Sequence, residues 1–339
     1  MWTLQSSQKA LGHRVPCSPS HTWARNSRPA GRLGLRSAQP IPASTAAVGY
    51  EETWREFVSK VEGEWEGVTV AFDAAGSPQQ LPDLYVPGAY KEWGVELWDW
   101  QSQSSTIADP GPGPDARRVR NLYRKLMPRV GCEADAIAFL EDSKDIWKDN
   151  ESLVQPVTPT GGFLSAPPRL GDGRTKLEAC LAPQGTEGRQ RIRVIVQLMQ
   201  HWEHKGWEMT SVEVTRETYD GAFNGGIELC GCAGGAMPFA KDPATTPDQL
   251  GGAWRPVAAH VYARNGAGQL ELQHQGAASV PRPTAAPVLL PAGVWAACSA
   301  AGSDVAVEVG WVRGQEREVA RAAYVGGRLE RAELATEAR

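Results

Sequence analysis

No aspartate or glutamate occurs among the first 50 residues of this 339-residue chain. At the acidic density of the remainder, about seven would be expected there. The stretch instead carries Lys9, Arg14, Arg25, Arg28, Arg32 and Arg36, many serines and scattered prolines, and it holds no sustained apolar run. A secretory signal needs such a run. An organelle transit peptide needs basic and serine-rich composition without acids, which is what is present. Cleavage is expected between Ala43 and Gly49, so residues 1–48 are read as a disordered transit peptide. Long apolar runs are missing elsewhere too. The charge-free stretch from Pro283 to Ser303 contains Pro283, Pro287 and Pro291, which would break a spanning helix. It is expected to form strand and turn, with no membrane span.

Cysteine is scarce and chemically ambiguous. Of six, Cys17 lies in the transit segment, and the odd five that remain exclude a complete disulfide framework. Cys230-Gly-Cys232 is the only close pair, and His201-x-x-His204 lies about 25 residues before it, with no second pair to complete a four-ligand set. These are read as a glycine-rich turn and a polar hairpin loop, and no metal or cofactor is expected. The chain has no GxxxxGK[ST], GxSxG or HExxH motif. Acidic neighbours such as Asp83, Glu96 and Asp99 are the surface carboxylates of any acidic protein. No catalytic residue is assigned, and the chain is not expected to be an enzyme. Net charge is −4, but without the six cations of the first 50 residues the other 29 basic and 39 acidic residues give −10. Binding to nucleic-acid phosphates is disfavoured.

What is present is mostly period two. Glu51 to Val61 is the exception: Trp54, Phe57, Val58 and Val61 recur at helical spacing, and Gly63 ends the pattern. Beyond it, Ile192, Val194, Val196 and Leu198 alternate with Arg193 and Gln197, Val212 and Val214 alternate with Glu213 and Thr215, and Val305, Val307 and Val309 follow. Gly, Pro, Asp and Asn clusters separate these runs. Many short strands without intervening helices indicate antiparallel sandwiches or barrels.

An internal repeat sharpens this. Gly63-Glu-Trp65 recurs as Gly252-Ala-Trp254, each followed by apolar residues at +3, +5 and +7. A closing pattern V-x-R-x-x-Y-x-G covers Val214, Arg216, Tyr219 and Gly221, then Val319, Arg321, Tyr324 and Gly326. Alternation places each Arg on the face of its preceding Val. If that face is the barrel interior, Arg216 should cover Trp65 and Arg321 should cover Trp254. The arrangement resembles the Trp and Arg signature of calycin barrels, the group that includes lipocalins. The expected fold is all-β: two calycin-like antiparallel barrels in tandem with a short N-terminal helix. Helix and first barrel occupy 49–221, a Gly/Pro-rich linker 222–249, and a smaller second barrel, with room for about six strands, 250–339.

A dense aromatic stretch follows the first strand, with Tyr85, Tyr90, Trp93, Trp98 and Trp100 within 16 residues. Aromatic rings beside charges anchor protein interfaces, and Tyr85, Tyr90 and Trp93 are the candidate partner-binding residues. Gly63-Glu-Trp65-Glu-Gly67, Leu81-Pro82, Tyr85-Val-Pro87-x-Ala-Tyr90-x-Glu-Trp93, Asp99-Trp100-Gln101 and Gly131-Cys132-Glu133-Ala134-Asp135 together resemble the plant and algal biogenesis factors required for chloroplast ATP synthase. The likeness is strongest over residues 53 to 140 and looser in the Ala- and Gly-rich C-terminal unit. It implies a stromal, non-enzymatic assembly factor with two calycin-like barrels that brings together the β and γ subunits of the catalytic head. Two other classes fit the composition: a calycin-type carrier or lyase holding a tetrapyrrole or lipid in an apolar chamber, and a redox or metal protein using Cys230 and Cys232.

Overall fold

The computed structural model describes residues 50–109, 118–126, 128, 138–145, 156–171, 173–185, 189–203, 206–226, 239–268, 270–273 and 280–339. The transit segment, Cys230, Cys232, His204 and the Gly131–Asp135 motif lie outside the described residues. The chain from Ala46 to Arg339 forms one compact unit. Among the described residues, no helix is long and apolar enough to cross a membrane.

Helix α1 spans Tyr50–Val61, as its periodicity requires. Its stripe of Trp54, Phe57 and Val61 is buried with Ala108, Val119, Val157, Phe163 and Cys180. Phe57 meets Phe163 edge-on at 6.4 Å. Eight strands follow: β1 (Gly63–Asp73), β2 (Trp100–Asp109), β3 (Arg118–Leu126), β4 (Ala138–Asp145), β5 (Phe163–Ser165), β6 (Arg174–Leu181), β7 (Gln190–Gln200) and β8 (Trp207–Gly221). Seven more form the second sheet: β9 (Arg255–Arg264), β10 (Leu270–Leu272), β11 (Val288–Leu289), β12 (Val294–Ala301), β13 (Asp304–Arg313), β14 (Glu316–Val325) and β15 (Arg328–Ala338). The charge-free stretch of the sequence supplies β11 and β12.

The sheet orders are β4-β3-β2-β1-β8-β7-β6-β5 and β10-β9-β15-β14-β13-β12-β11. Each is an antiparallel meander whose first strand pairs with its last, β1 with β8 and β9 with β15. Among the described residues each is open at one seam, between β4 and β5 or between β10 and β11. This is the wrapping of an up-and-down barrel built twice along the chain. Among the described residues the second copy has seven strands where chain length suggested about six.

The valine stripes do not line the barrels. Val70, Val194, Val196, Val212 and Val214 of the first sheet share one core with Val305, Val307, Val309, Ala320 and Ala322 of the second. The sheets therefore pack face to face over their apolar sides. The void left between them at Leu177, Val194, Val307 and Ala320 is only about 10 Å³. By the strict alternation of strands, the other face of each sheet must hold what lies between these core residues, including Arg193, Thr215 and Glu217 in the first sheet and Glu308 and Arg321 in the second.

The glycine- and proline-rich connection is fastened where it is described. The buried Glu64 carboxylate accepts backbone N–H bonds from Asn224, Gly225 and Gly226 at 2.7–3.3 Å. Further along, Asp99 accepts from the N–H groups of Phe239 and Ala240, which seats Phe239 in the shared core. A capping box between Thr246 and Gln249 then starts the short helix α2, Pro247–Leu250, that precedes Trp254.

Candidate functional site

The concave face of the first sheet is built from the residues that alternate with the valines. On β7, Arg191 and Arg193 flank Ile192; on β8, Thr215 and Glu217 flank Arg216; on β6, Glu178 stands opposite the core. Arg191 Nε donates to Glu217 Oε2 at 2.6 Å, and Arg193 bridges Glu178 at 2.7 Å and Glu217 at 3.2 Å. Ser104 donates to the same Glu217 at 2.5 Å. Beside this network the Thr69 hydroxyl meets Ser102, Tyr123 and Thr215 within 3.1 Å. Burial alone would raise the Glu217 carboxyl, but Arg191 and Arg193 outweigh it and hold the group below the usual carboxylate range. Burial pushes the neighbouring Cys180 thiol up to about 12, which leaves it protonated and inert. The middle of the face is thus filled by matched charges and hydroxyls, and its apolar part at Ala108, Val119, Phe163 and Cys180 is covered by the stripe of α1.

Trp65 stands at the end of this face, but its cation comes from an unexpected strand. The Arg191 guanidinium lies 3.7 Å from the Trp65 ring centroid and Arg189 lies 5.3 Å from it. Arg216 does not cover Trp65. Its even position puts it with Val214 on the opposite side of β8, where it lies over Phe239 at 5.1 Å and pairs with Asp242 at 3.1 Å. The premise that failed is that the valine face points into the barrel. In the second unit Arg321 does reach the concave face, because V-x-R-x-x-Y-x-G falls there on β14, one strand before the closing strand. Arg321 is enclosed by Glu308, Glu333 and Glu337 at 2.6–3.2 Å, and Trp254 is flanked instead by Arg317 and Arg339, both at 4.4 Å.

The GxW half of the repeat is a structural correspondence. Trp65 Nε1 donates to the Val61 carbonyl at 3.1 Å and Trp254 Nε1 to the Leu250 carbonyl at 2.9 Å, four residues back in each case. Both carbonyls close a helix, and Gly63 and Gly252 both take positive φ to turn the chain into the strand. The apolar positions after Trp254 follow less faithfully. Pro256 faces Glu337 and Ala258 faces Thr336, so Val257 is an extra residue in a bulge and is exposed.

Arg191, Arg193, Glu178 and Glu217 were not singled out by sequence reasoning. The available signal is the R-x-R alternation inside a strand whose other face is apolar, which has to bury two cations and therefore demands two acids nearby.

The other candidate surface is the aromatic stretch between β1 and β2. It folds as a 3-10 turn at Asp83–Tyr85 and a single helical turn at Gly88–Glu92. Tyr85 packs on Trp100 at 5.4 Å and Tyr90 meets Trp93 edge-on at 6.0 Å. Trp93 is nevertheless 62% exposed, with Leu84 at 80% and Val95 at 41%. The turn thus holds its rings in place and still presents apolar surface to solvent. His201 stacks on Trp202 at a hairpin tip. Among the described residues, no group of three or more His, Cys, Asp or Glu is placed to hold a metal.

Fold and interior together define a class: an all-β protein of two calycin-like barrels in tandem, joined through their apolar faces, with a charged interior in each. Comparison of the sequence with known protein families and with curated proteins finds no match. Among solved structures, the chain is similar to a protein of unknown function from the DUF3598 family of Nostoc punctiforme, with 17% identity and a TM-score of 0.48 over 84% of this chain and 98% of that one. It is also similar to the S-type phycobiliprotein lyase CPES from Guillardia theta, with 12% identity and a TM-score of 0.29 over 51% of this chain and 96% of that one.

Proposed function

We propose that the protein is a non-catalytic assembly factor of the chloroplast stroma, delivered there by residues 1–48, which holds the β and γ subunits of the ATP synthase head while they associate. The observation that carries a protein-binding role is the loop from Leu84 to Val95, where Leu84, Trp93 and Val95 are exposed on a turn braced by Tyr85 and Tyr90. A few aromatic side chains supply most of the energy of an interface, and a braced loop loses little entropy when it docks. The resemblance of residues 53 to 140 to the ATP synthase biogenesis factors supplies the partners. The mature charge of −10 suits reversible docking on a basic surface, where complementarity governs encounter rate and salt sensitivity.

A carrier or lyase for a tetrapyrrole or lipid is the second reading. It needs a barrel chamber with an apolar lining. The concave face of the first sheet instead carries Glu178, Arg191, Arg193 and Glu217, already bonded to one another.

The test is capture of the β and γ subunits from chloroplast extract by the wild-type chain and by a Tyr85→Ala, Tyr90→Ala, Trp93→Ala triple variant. The wild type is expected to retain both subunits. The triple variant is expected to retain at most about a tenth as much, since the exposed Trp93 and both rings that brace the loop are lost, while keeping its circular dichroism. Equal capture by a folded triple variant removes the loop from the interface. Capture of neither subunit by the wild type overturns the assembly reading.

A further inference from the structure

A concavity on the other side of Trp65 plays no part in the docking loop. It is a cleft of about 440 Å³ between the last turns of α1, the 159–161 turn, and residues 182–185 and 189–191 after β6 and at the start of β7. Its volume is that of a small-molecule site. Among the described residues, Lys60, Arg189 and Arg191 line it, and Glu56 is the one acid of that lining. The network behind it is neutral, with Arg191 and Arg193 matched by Glu178 and Glu217. Among the described lining residues, the cleft's own charge comes from Lys60 and Arg189 against Glu56, a cationic balance on a mature chain of −10.

Two features prepare it for an anion. The C-terminal carbonyls of a helix repel negative charge, but here they are already engaged: Val61 accepts from the Trp65 indole at 3.1 Å and Lys60 accepts from Arg189. The second feature is Arg191 itself, only 2% exposed and held by Glu217 through Nε and by the Trp65 ring. Its Nη1 has no hydrogen-bond acceptor. A buried guanidinium donor without an acceptor is costly, and the five donors of the fork are matched to oxyanions.

We propose that this cleft binds the oxyanion group, phosphate or carboxylate, of a small molecule, with Arg191 as the buried donor and Arg189 and Lys60 as the outer cations. The inference is independent of the assembly reading, because the aromatic loop contributes nothing to the cleft.

Isothermal titration of the full chain with inorganic phosphate and with succinate, at ionic strength held constant by chloride, tests it. One saturable site per chain is expected with at least one of the two anions at concentrations up to about 10 mM. Saturation by phosphate alone identifies a phosphate-bearing ligand, and saturation by succinate alone a carboxylate-bearing one. Lys60→Gln and Arg189→Gln, which leave the Arg191–Glu217 pair intact, are each expected to weaken binding by about tenfold. Absence of saturation with both anions overturns the proposal, as does a saturable site that neither substitution weakens.

Discussion

Two arginines two dozen residues apart show how far one face of a strand differs from the other. Arg191 is enclosed, stacked on Trp65 and bonded to Glu217, whereas the Arg216 side chain is 41% exposed and pairs with Asp242 at the surface. Removing Arg191 leaves the Glu217 charge buried with only Arg193 against it. Breaking a buried pair in this way costs about 3–5 kcal/mol, while a half-exposed pair contributes about 1 kcal/mol or less. Urea denaturation of Arg191→Ala and Arg216→Ala is expected to show that ordering. Equal losses would mean that Trp65 depends on Arg216 after all. The arginine pairs were half legible in the sequence. Alternation fixes that Arg216 shares a face with Val214, but whether that face turns toward the barrel interior or toward a second sheet depends on residues a hundred positions away.

At the scale of elements, the GxW turn is the part that repeats. It ends a helix, reverses through a glycine and delivers an indole back onto the helix's last carbonyl. Gly63 takes φ +127°, and a Cβ there would sit 2.5 Å from the Gly221 carbonyl oxygen and 2.4 Å from the Tyr219 ring. Gly94, in the aromatic loop, also has positive φ, +65°, but a Cβ there meets no atom within 4 Å. Gly63→Ala is therefore expected to cost about 2 kcal/mol or more, by strain plus collision with backbone, and Gly94→Ala about 1 kcal/mol by strain alone. Thermal unfolding of the two variants checks this, and a Gly63→Ala protein as stable as Gly94→Ala would count against the tight β1–β8 closure. Helix α1, the valine strands and the GxW turn were readable because each rests on local periodicity or a single glycine. The closing motif misled because its spacing is met by β8 in one unit and by β14 in the other, and an eight-residue spacing carries no information about which strand a chain reaches last.

For the whole molecule, the shared apolar core makes the two barrels thermodynamically one body. Leu177 of the first sheet and Leu334 of the second belong to the same buried cluster, and neither sheet has another place to hide its valines. Leu177→Ala and Leu334→Ala should each cost about 2–5 kcal/mol. Both are expected to move one common transition, seen at the same midpoint by tryptophan fluorescence and far-ultraviolet circular dichroism. Two separated transitions, each sensitive to only one substitution, would show barrels that fold independently. The sequence by itself determined the all-β class, the helix before the first barrel, the duplication and the positions of both tryptophan turns, because period-two hydrophobicity and glycine-dependent turns are properties of neighbouring residues. Only the tertiary structure decided where the apolar face points. An alternating strand specifies two chemically different surfaces but not what covers each. Here the second sheet takes the valines of the first, so the middle of the barrel interior holds paired arginines and glutamates, whose burial is tolerable only once strands distant in sequence bring the partners together.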